Sequence, residues 1–170
     1  MKKILVLLIA VIWAQGVMAM ELTSSGFKAQ DTIPDQFTCQ GENVSPQLSW
    51  TDVPEGTKSF ALICDDPDAP SGDWVHWVVY DIPGESRELP AGLPAKAKLA
   101  DGTAQGMTDF GAIGYGGPCP PPGKPHRYSF RLYALDSIIE LKSGAGKYEL
   151  MGAMDKRILD EAELIGIFGK

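Results

Sequence analysis

The run from Trp74 to Ile82, Trp-Val-His-Trp-Val-Val-Tyr-Asp-Ile, constrains the fold more than any other part of this 170-residue chain. It is β-branched and aromatic nearly throughout. Such side chains lose rotamer freedom in a helix and pack well on a pleated surface, so the run predicts a central strand buried on both faces. A strand of that kind needs partners on either side and a layer above and below, which commits the chain to sheet packing. Two further runs supply the partners. Ser59 to Asp66 puts Phe60, Leu62, Cys64 and Asp66 on one face and Ala61, Ile63 and Asp65 on the other. Tyr128 to Leu135 alternates, with Tyr128, Phe130, Leu132 and Ala134 toward the core. Shorter candidates are Leu22 to Phe27, Gln47 to Trp50 and Leu164 to Phe168.

Between these runs stand Pro- and Gly-marked turns, drawn from 19 glycines and 13 prolines, an excess that suits a loop-rich fold. The one helical signal comes late. From Lys147 to Ala162, Leu150, Met154, Ile158 and Ala162 recur every four residues, with Met151 and Leu159 widening the stripe. The expected architecture is mainly β, a two-sheet antiparallel β-sandwich with a C-terminal amphipathic helix.

The N-terminus reads differently. Lys2 and Lys3 precede an apolar run from Ile4 to Ala14, and Val17-Met18-Ala19 offers acceptable residues for a signal peptidase. The run is short of the roughly 20 residues of a bilayer span. Residues 1–19 are therefore expected to be a cleavable leader, and residues 20–170 a single exported domain without a transmembrane segment. A periplasmic or secreted destination follows. The full chain has a net charge of −7, and losing the two lysines makes the mature form more acidic still. Nucleic acid and anionic membrane need clustered Lys and Arg, so neither is an expected partner.

Export makes the three cysteines informative, because a disulfide persists outside the cytoplasm. Cys64 sits in an apolar strand and reads as a small buried hydrophobe. Cys39 and Cys119 lie in turn-rich loops and are expected to pair, with three free thiols as the competing reading. No C-x-x-C spacing suggests a metal.

The chemistry concentrates in three places. Asp65-Asp66-Pro67-Asp68-Ala69-Pro70 is a carboxylate turn. Asp65 reads as part of a solvated loop. Asp66 shares parity with Phe60 and Leu62, so it points inward and needs a partner there. The only two histidines, His76 and His126, stand at strand ends beside turns, and His126 shares parity with Tyr128. An imidazolium is a natural partner for Asp66, and the pairing would raise that histidine's pKa. Gly114-Tyr115-Gly116-Gly117-Pro118-Cys119 is a glycine turn whose backbone a ligand can approach, and whose N–H groups can form an anion nest. Nucleophile elbows, zinc-helix motifs and phosphate loops are missing from the sequence.

In this order, these blocks resemble the phosphatidylethanolamine-binding protein family, in its bacterial Raf-kinase-inhibitor-like branch. The likeness rests on Phe37-Thr38-Cys39, Gly41-Glu42-Asn43-Val44-Ser45-Pro46 and Trp50, then Asp66-Pro67-Asp68-Ala69-Pro70, Trp74-Val75-His76-Trp77, Gly114 to Pro120 and His126-Arg127-Tyr128. It runs from about Leu22 to Phe168. The resemblance implies a two-sheet sandwich and a small pocket for phosphate-like groups. Asp66, His76, Gly117, His126 and Tyr128 match the family's pocket residues, Pro118 its wall and Asp68 its turn. It brings no metal, cofactor or established reaction. One departure is Lys156-Arg157, where bacterial relatives commonly carry Gly-His.

The expected function is binding, not catalysis. A phosphate monoester or phospholipid headgroup would dock on the Gly116 and Gly117 backbone and the two histidines. Asp66 would hold one histidine charged, Tyr128 would donate a hydrogen bond and Trp74 would form a wall. Two other readings compete: a protein-interaction regulator that inhibits a kinase or protease, and a hydrolase using Asp66 with His76 or His126. The natural ligand and any homodimer are not legible in the sequence.

Overall fold

The computed structural model describes residues 18–142 and 144–169. Apart from Met18 and Ala19, the expected leader lies outside the described residues. Strands β1 (Glu21–Thr23), β2 (Leu48–Thr51) and β5 (Glu88–Leu89) form a small sheet in the order β1-β2-β5. Strands β3 (Ser59–Asp66), β4 (Trp74–Pro83), β6 (Ala104–Gln105), β7 (His126–Leu135) and β8 (Ile158–Phe168) form a large one in the order β6-β4-β3-β7-β8. Every strand pair is antiparallel. The mainly β, two-sheet architecture is the one the strand runs predicted.

The large sheet is covered on both faces. Its inner face packs on the small sheet through Trp50, Phe60, Leu62, Trp77, Phe130, Leu132 and Leu164. Its outer face carries Ile63, Val78, Tyr80, Leu135, Leu150 and Met154. Helix α1 (Lys147–Met154) supplies the last two and closes that face. All eight residues of β3 are buried in consequence. Each fully buried large apolar side chain contributes about 1.5–3 kcal/mol relative to exposure, so β3 anchors the fold.

The helix is half as long as its stripe suggested. It stops at Met154, and Ile158 to Phe168 is strand. Four is a multiple of the strand period as well as close to the helical one, so the spacing carries on into the strand, although a register shift beside Leu159 sets Ile158 and Ala162 on opposite faces. Burial alternates from Ala162 through Leu164 and Gly166 to Phe168. The chain turns at Lys156, whose φ of 63° is the left-handed conformation that glycine adopts freely. Arg157 follows and donates to Ser137 Oγ at 3.0 Å.

Two further expectations are corrected, and two strands go beyond the expected set. The first strand is Glu21–Thr23 rather than Leu22 to Phe27, because the chain bends at Ser25 and Gly26, just after Ser24, whose Oγ donates to the Gln47 carbonyl at 2.6 Å. The two-residue strands β5 and β6 are too short to leave a periodic signal. Asp65 is not solvated: it is fully buried on the outer face, 2.5 Å from Arg131 Nη2 and 2.5 Å from Lys147 Nζ.

Cys39 and Cys119 form the expected disulfide, with Cα atoms 5.4 Å apart, and Cys64 is free and buried. Near the start of the described chain, Met20 is buried, and its backbone N–H donates to Asp160 Oδ2 at 2.9 Å. Among the described residues, no helix is long and apolar enough to cross a membrane.

Candidate functional site

Antiparallel pairing brings the end of β3 beside the starts of β4 and β7, with Asp66 opposite Trp74 and Asp65 opposite Ser129. A cavity of about 190 Å³ opens there. Asp66, Trp74, His76, His126 and Tyr128 line it, and Ala69, Pro70, Ser71, Phe110, Cys119, Pro120 and Pro121 complete its walls.

His76 reaches this cavity because of a β-bulge. Cys64 pairs with Trp77 and Asp65 with Val75, so one step along β3 matches two along β4 and His76 is the extra residue. Simple alternation would send His76 to the outer face with Val78 and Tyr80. The bulge instead puts both His76 and Trp77 inward, which is the re-aiming that bulges perform beside functional sites. The His76 ring then stands edge-on to Tyr128, centroids 5.1 Å apart.

Each polar group at the base has a defined partner. His126 Nδ1 lies 2.7 Å from Asp66 Oδ2, and the Asp68 N–H donates to Asp66 Oδ1 at 2.8 Å. Asp66 therefore pairs with His126 and not with His76. His76 Nδ1 donates to the Gly116 carbonyl at 2.6 Å, and the Gly116 N–H donates back to the His76 carbonyl at 2.9 Å. Burial lowers the pKa of His76, and the Gly116 bond with the charges of Asp66, Asp65 and Asp109 only partly offsets it. The ring is thus neutral around pH 7. The Tyr128 hydroxyl is buried and has no hydrogen-bond partner of good geometry among the described residues. Burial, then the charge of neighbouring Asp66, pushes its pKa up, so it remains a donor at any working pH.

The glycine turn plays a part other than the expected one. Gly116, Gly117 and Pro118 do not line the cavity. The Gly116 N–H is held by His76, and the Gly117 N–H donates to Asn43 Oδ1 at 2.8 Å, so neither forms an anion nest. A Cβ on Gly116 would stand 2.5 Å from the Phe110 ring, and one on Gly117 would stand 2.4 Å from Asn43 Oδ1 and the Phe37 carbonyl. The missing side chains admit the protein's own groups. Tyr115 Oη donates to the Phe37 carbonyl at 2.8 Å and the Cys39 N–H to the Pro118 carbonyl at 3.1 Å. With the disulfide, these contacts lock the 115–119 strip to the 37–43 loop.

Asp68 also stands outside the cavity. Its carboxylate takes the Arg127 N–H, Nε and Nη2 at 2.8–2.9 Å, which pulls its pKa down to about 2. It pins the turn after β3 to the start of β7. Lys156 and Arg157 do not reach the cavity either.

Phe110 is the residue that the sequence did not single out. It is 46% exposed, and its ring packs edge-on against Trp74 at 5.6 Å and His76 at 5.2 Å. Its neighbour Asp109 holds it there by pairing with the Val75 backbone through both its N–H and its Oδ2. A lone Phe in a loop gives no pattern from which this could be read.

A larger groove of about 680 Å³ lies at the other end of β3, where Ser59, Asp81 and Lys98 meet. It contains neither histidine, and the convergent polar groups are at the smaller cavity. Among the described residues, no group of three or more His, Cys, Asp or Glu is arranged to hold a metal ion.

Comparison with known proteins places this architecture. Residues 23–169 match the family model described as phosphatidylethanolamine-binding protein. A UPF0098 protein of Methanothermobacter thermautotrophicus is 51% identical over 149 residues, covering 88% of this chain and 98% of its own. The crystal structure of CT736 from Chlamydia trachomatis, described as a homolog of phosphatidylethanolamine-binding protein, superposes with a TM-score of 0.81 at 41% identity, over 89% of this chain and 98% of that one. Escherichia coli YbcL, described as a new member of the mammalian family, gives a TM-score of 0.84 at 36% identity, over 90% and 99% of the two chains. With the sandwich and the site that the sequence motifs pointed to, these matches mean that the chain belongs to the phosphatidylethanolamine-binding protein family.

Proposed function

We propose that this chain is an exported binding protein for a small phosphate-like anion, a phosphate monoester or the headgroup of a phospholipid, and not an enzyme. The observation that carries this reading is the Tyr128 hydroxyl, buried and with no hydrogen bond of good geometry among the described residues, at a cavity shared with the Asp66–His126 pair. A buried hydroxyl left unpaired costs about 1–3 kcal/mol, and a ligand oxygen recovers it. The Asp66 carboxylate accepts from His126 Nδ1 and orients its ring, leaving Nε2 to face the same anion. Trp74, Phe110 and the prolines exclude water, which strengthens these contacts.

Export fits the Cys39–Cys119 disulfide, since such bonds persist in oxidising compartments. The leader is expected to be cut after Ala19, and the mass of the protein recovered from the periplasm or medium tests this. For the site, calorimetry with phosphoethanolamine is decisive. Affinity is expected to fall about tenfold or more in His126→Ala and about fivefold in Tyr128→Phe, the losses typical of a charged and a neutral hydrogen bond. Unchanged affinity in both variants would reject the site.

A further inference from the structure

We propose that His76 makes this cavity selective for an oxyanion that carries its own proton, a phosphate monoester as its monoanion, over anions that carry none, such as phosphodiesters and sulfate esters. The inference rests on the anion reading above and deepens it by separating a free monoester from a lipid headgroup, whose phosphate is a diester.

The argument starts at the Gly116 carbonyl. A carbonyl only accepts, so the Nδ1 atom 2.6 Å from it carries a hydrogen whatever the charge of the ring. In a neutral imidazole the other nitrogen is then a bare lone pair. His76 lines the cavity, and with Nδ1 engaged, Nε2 is the atom left for a ligand. The groups around the ring are Asp65 and Asp66 from β3, His126 and Tyr128 from β7 and Asp109 from the loop that carries Phe110. The three carboxylates favour the charged ring, but burial outweighs them and the neutral ring prevails. Tyr128 meets the ring edge-on and offers its own hydrogen to a ligand rather than to His76.

A bound anion thus meets the Tyr128 hydroxyl as a donor on one side and an acceptor on the His76 side. A P–OH satisfies the acceptor. A fully esterified or fully deprotonated oxygen sets one lone pair against another and leaves His76 unpaired, which is penalised as any buried unmatched polar group is.

Three probes isolate this feature: methyl phosphate, dimethyl phosphate and methyl sulfate, titrated calorimetrically into the mature protein at pH 6.5. Methyl phosphate is expected to bind about tenfold tighter than either of the others. Equal affinities would overturn the selectivity and leave the anion reading standing, whereas no binding of any probe would overturn both. In His76→Gln, whose amide can donate as well as accept, the ratio is expected to narrow to about twofold. An unchanged ratio there would take the role away from His76. Should that variant fail to fold, nitrogen-15 spectra of the wild-type histidine rings at pH 7.5 give the tautomer directly. Hydrogen on Nδ1 and none on Nε2 is expected for His76, and the opposite assignment would overturn the proposal.

Discussion

Asp65 and Asp66 are neighbours on one strand, both buried, and they face opposite sides of the sheet. Asp65 meets two cations, Arg131 and Lys147, and Lys147 extends the cluster to Asp73. Burial opposes the charge on Lys147, but hydrogen bonds from Asp65 and Asp73 outweigh it and hold the amine above its ordinary pKa. Asp65 Oδ1 is buried without a hydrogen-bond partner among the described residues, but Asp65 does not line the cavity. Asp66 meets one imidazole and one backbone N–H, with open space beside it. The difference separates a charge set among cations inside the protein from one that borders open space. Burial alone does not tell them apart. What distinguishes them is whether the partners already match the charge and whether space remains for another group.

Four measurements test that contrast. The largest effect is expected from Asp65→Ala, which strands Arg131 and Lys147 without their shared counterion and costs about 3 kcal/mol in urea unfolding. Phosphoethanolamine affinity should change less than about threefold in that variant, because Asp65 does not line the cavity. Asp66→Asn should do the reverse. It keeps the shape and one acceptor, so stability drops by only about 1 kcal/mol, but affinity falls about tenfold as His126 loses its orienting charge. Greater destabilisation from Asp66→Asn than from Asp65→Ala would break the comparison.

A control belongs at neither carboxylate. Lys156→Gly replaces a side chain held at a φ of 63° with the residue that adopts this conformation freely. It should stabilise the fold by roughly 0.5–1 kcal/mol without altering ligand affinity. The smallest effect is a slope with pH. His76 has a lower pKa folded than unfolded, so the unfolded chain takes up the proton first, and stability should decline as pH falls below about 6.5. His76→Phe should flatten that decline. At more acid pH, the Asp68 contribution should fade as its carboxyl protonates between 3.8 and about 2.

The strands were legible where the chain repeats a local pattern. Ser59–Asp66 and Trp74–Pro83 carry theirs in consecutive residues, and Asp66, His126 and Tyr128 follow from parity alone. Legibility failed where a residue's role depends on a distant partner. Asp65 reads as a loop carboxylate until Arg131 and Lys147 arrive from 66 and 82 residues away. Gly117 reads as a ligand's backbone until Asn43 takes its N–H across 74 residues. His76 is a subtler case, because its direction is set by a bulge that no periodicity announces. The helix boundary failed for a different reason, since a spacing of four residues fits strand and helix alike.

The contact between Met20 and Asp160 bears on the proposed cut after Ala19. Within a longer precursor, the Met20 nitrogen is an amide that lends Asp160 a single hydrogen. A cut after Ala19 would convert that same atom into an ammonium facing a carboxylate, turning a neutral bond into an ionic clasp. The domain would then be fastened at its new beginning by the act that frees it, and Asp160→Asn should loosen the processed chain more than the unprocessed one.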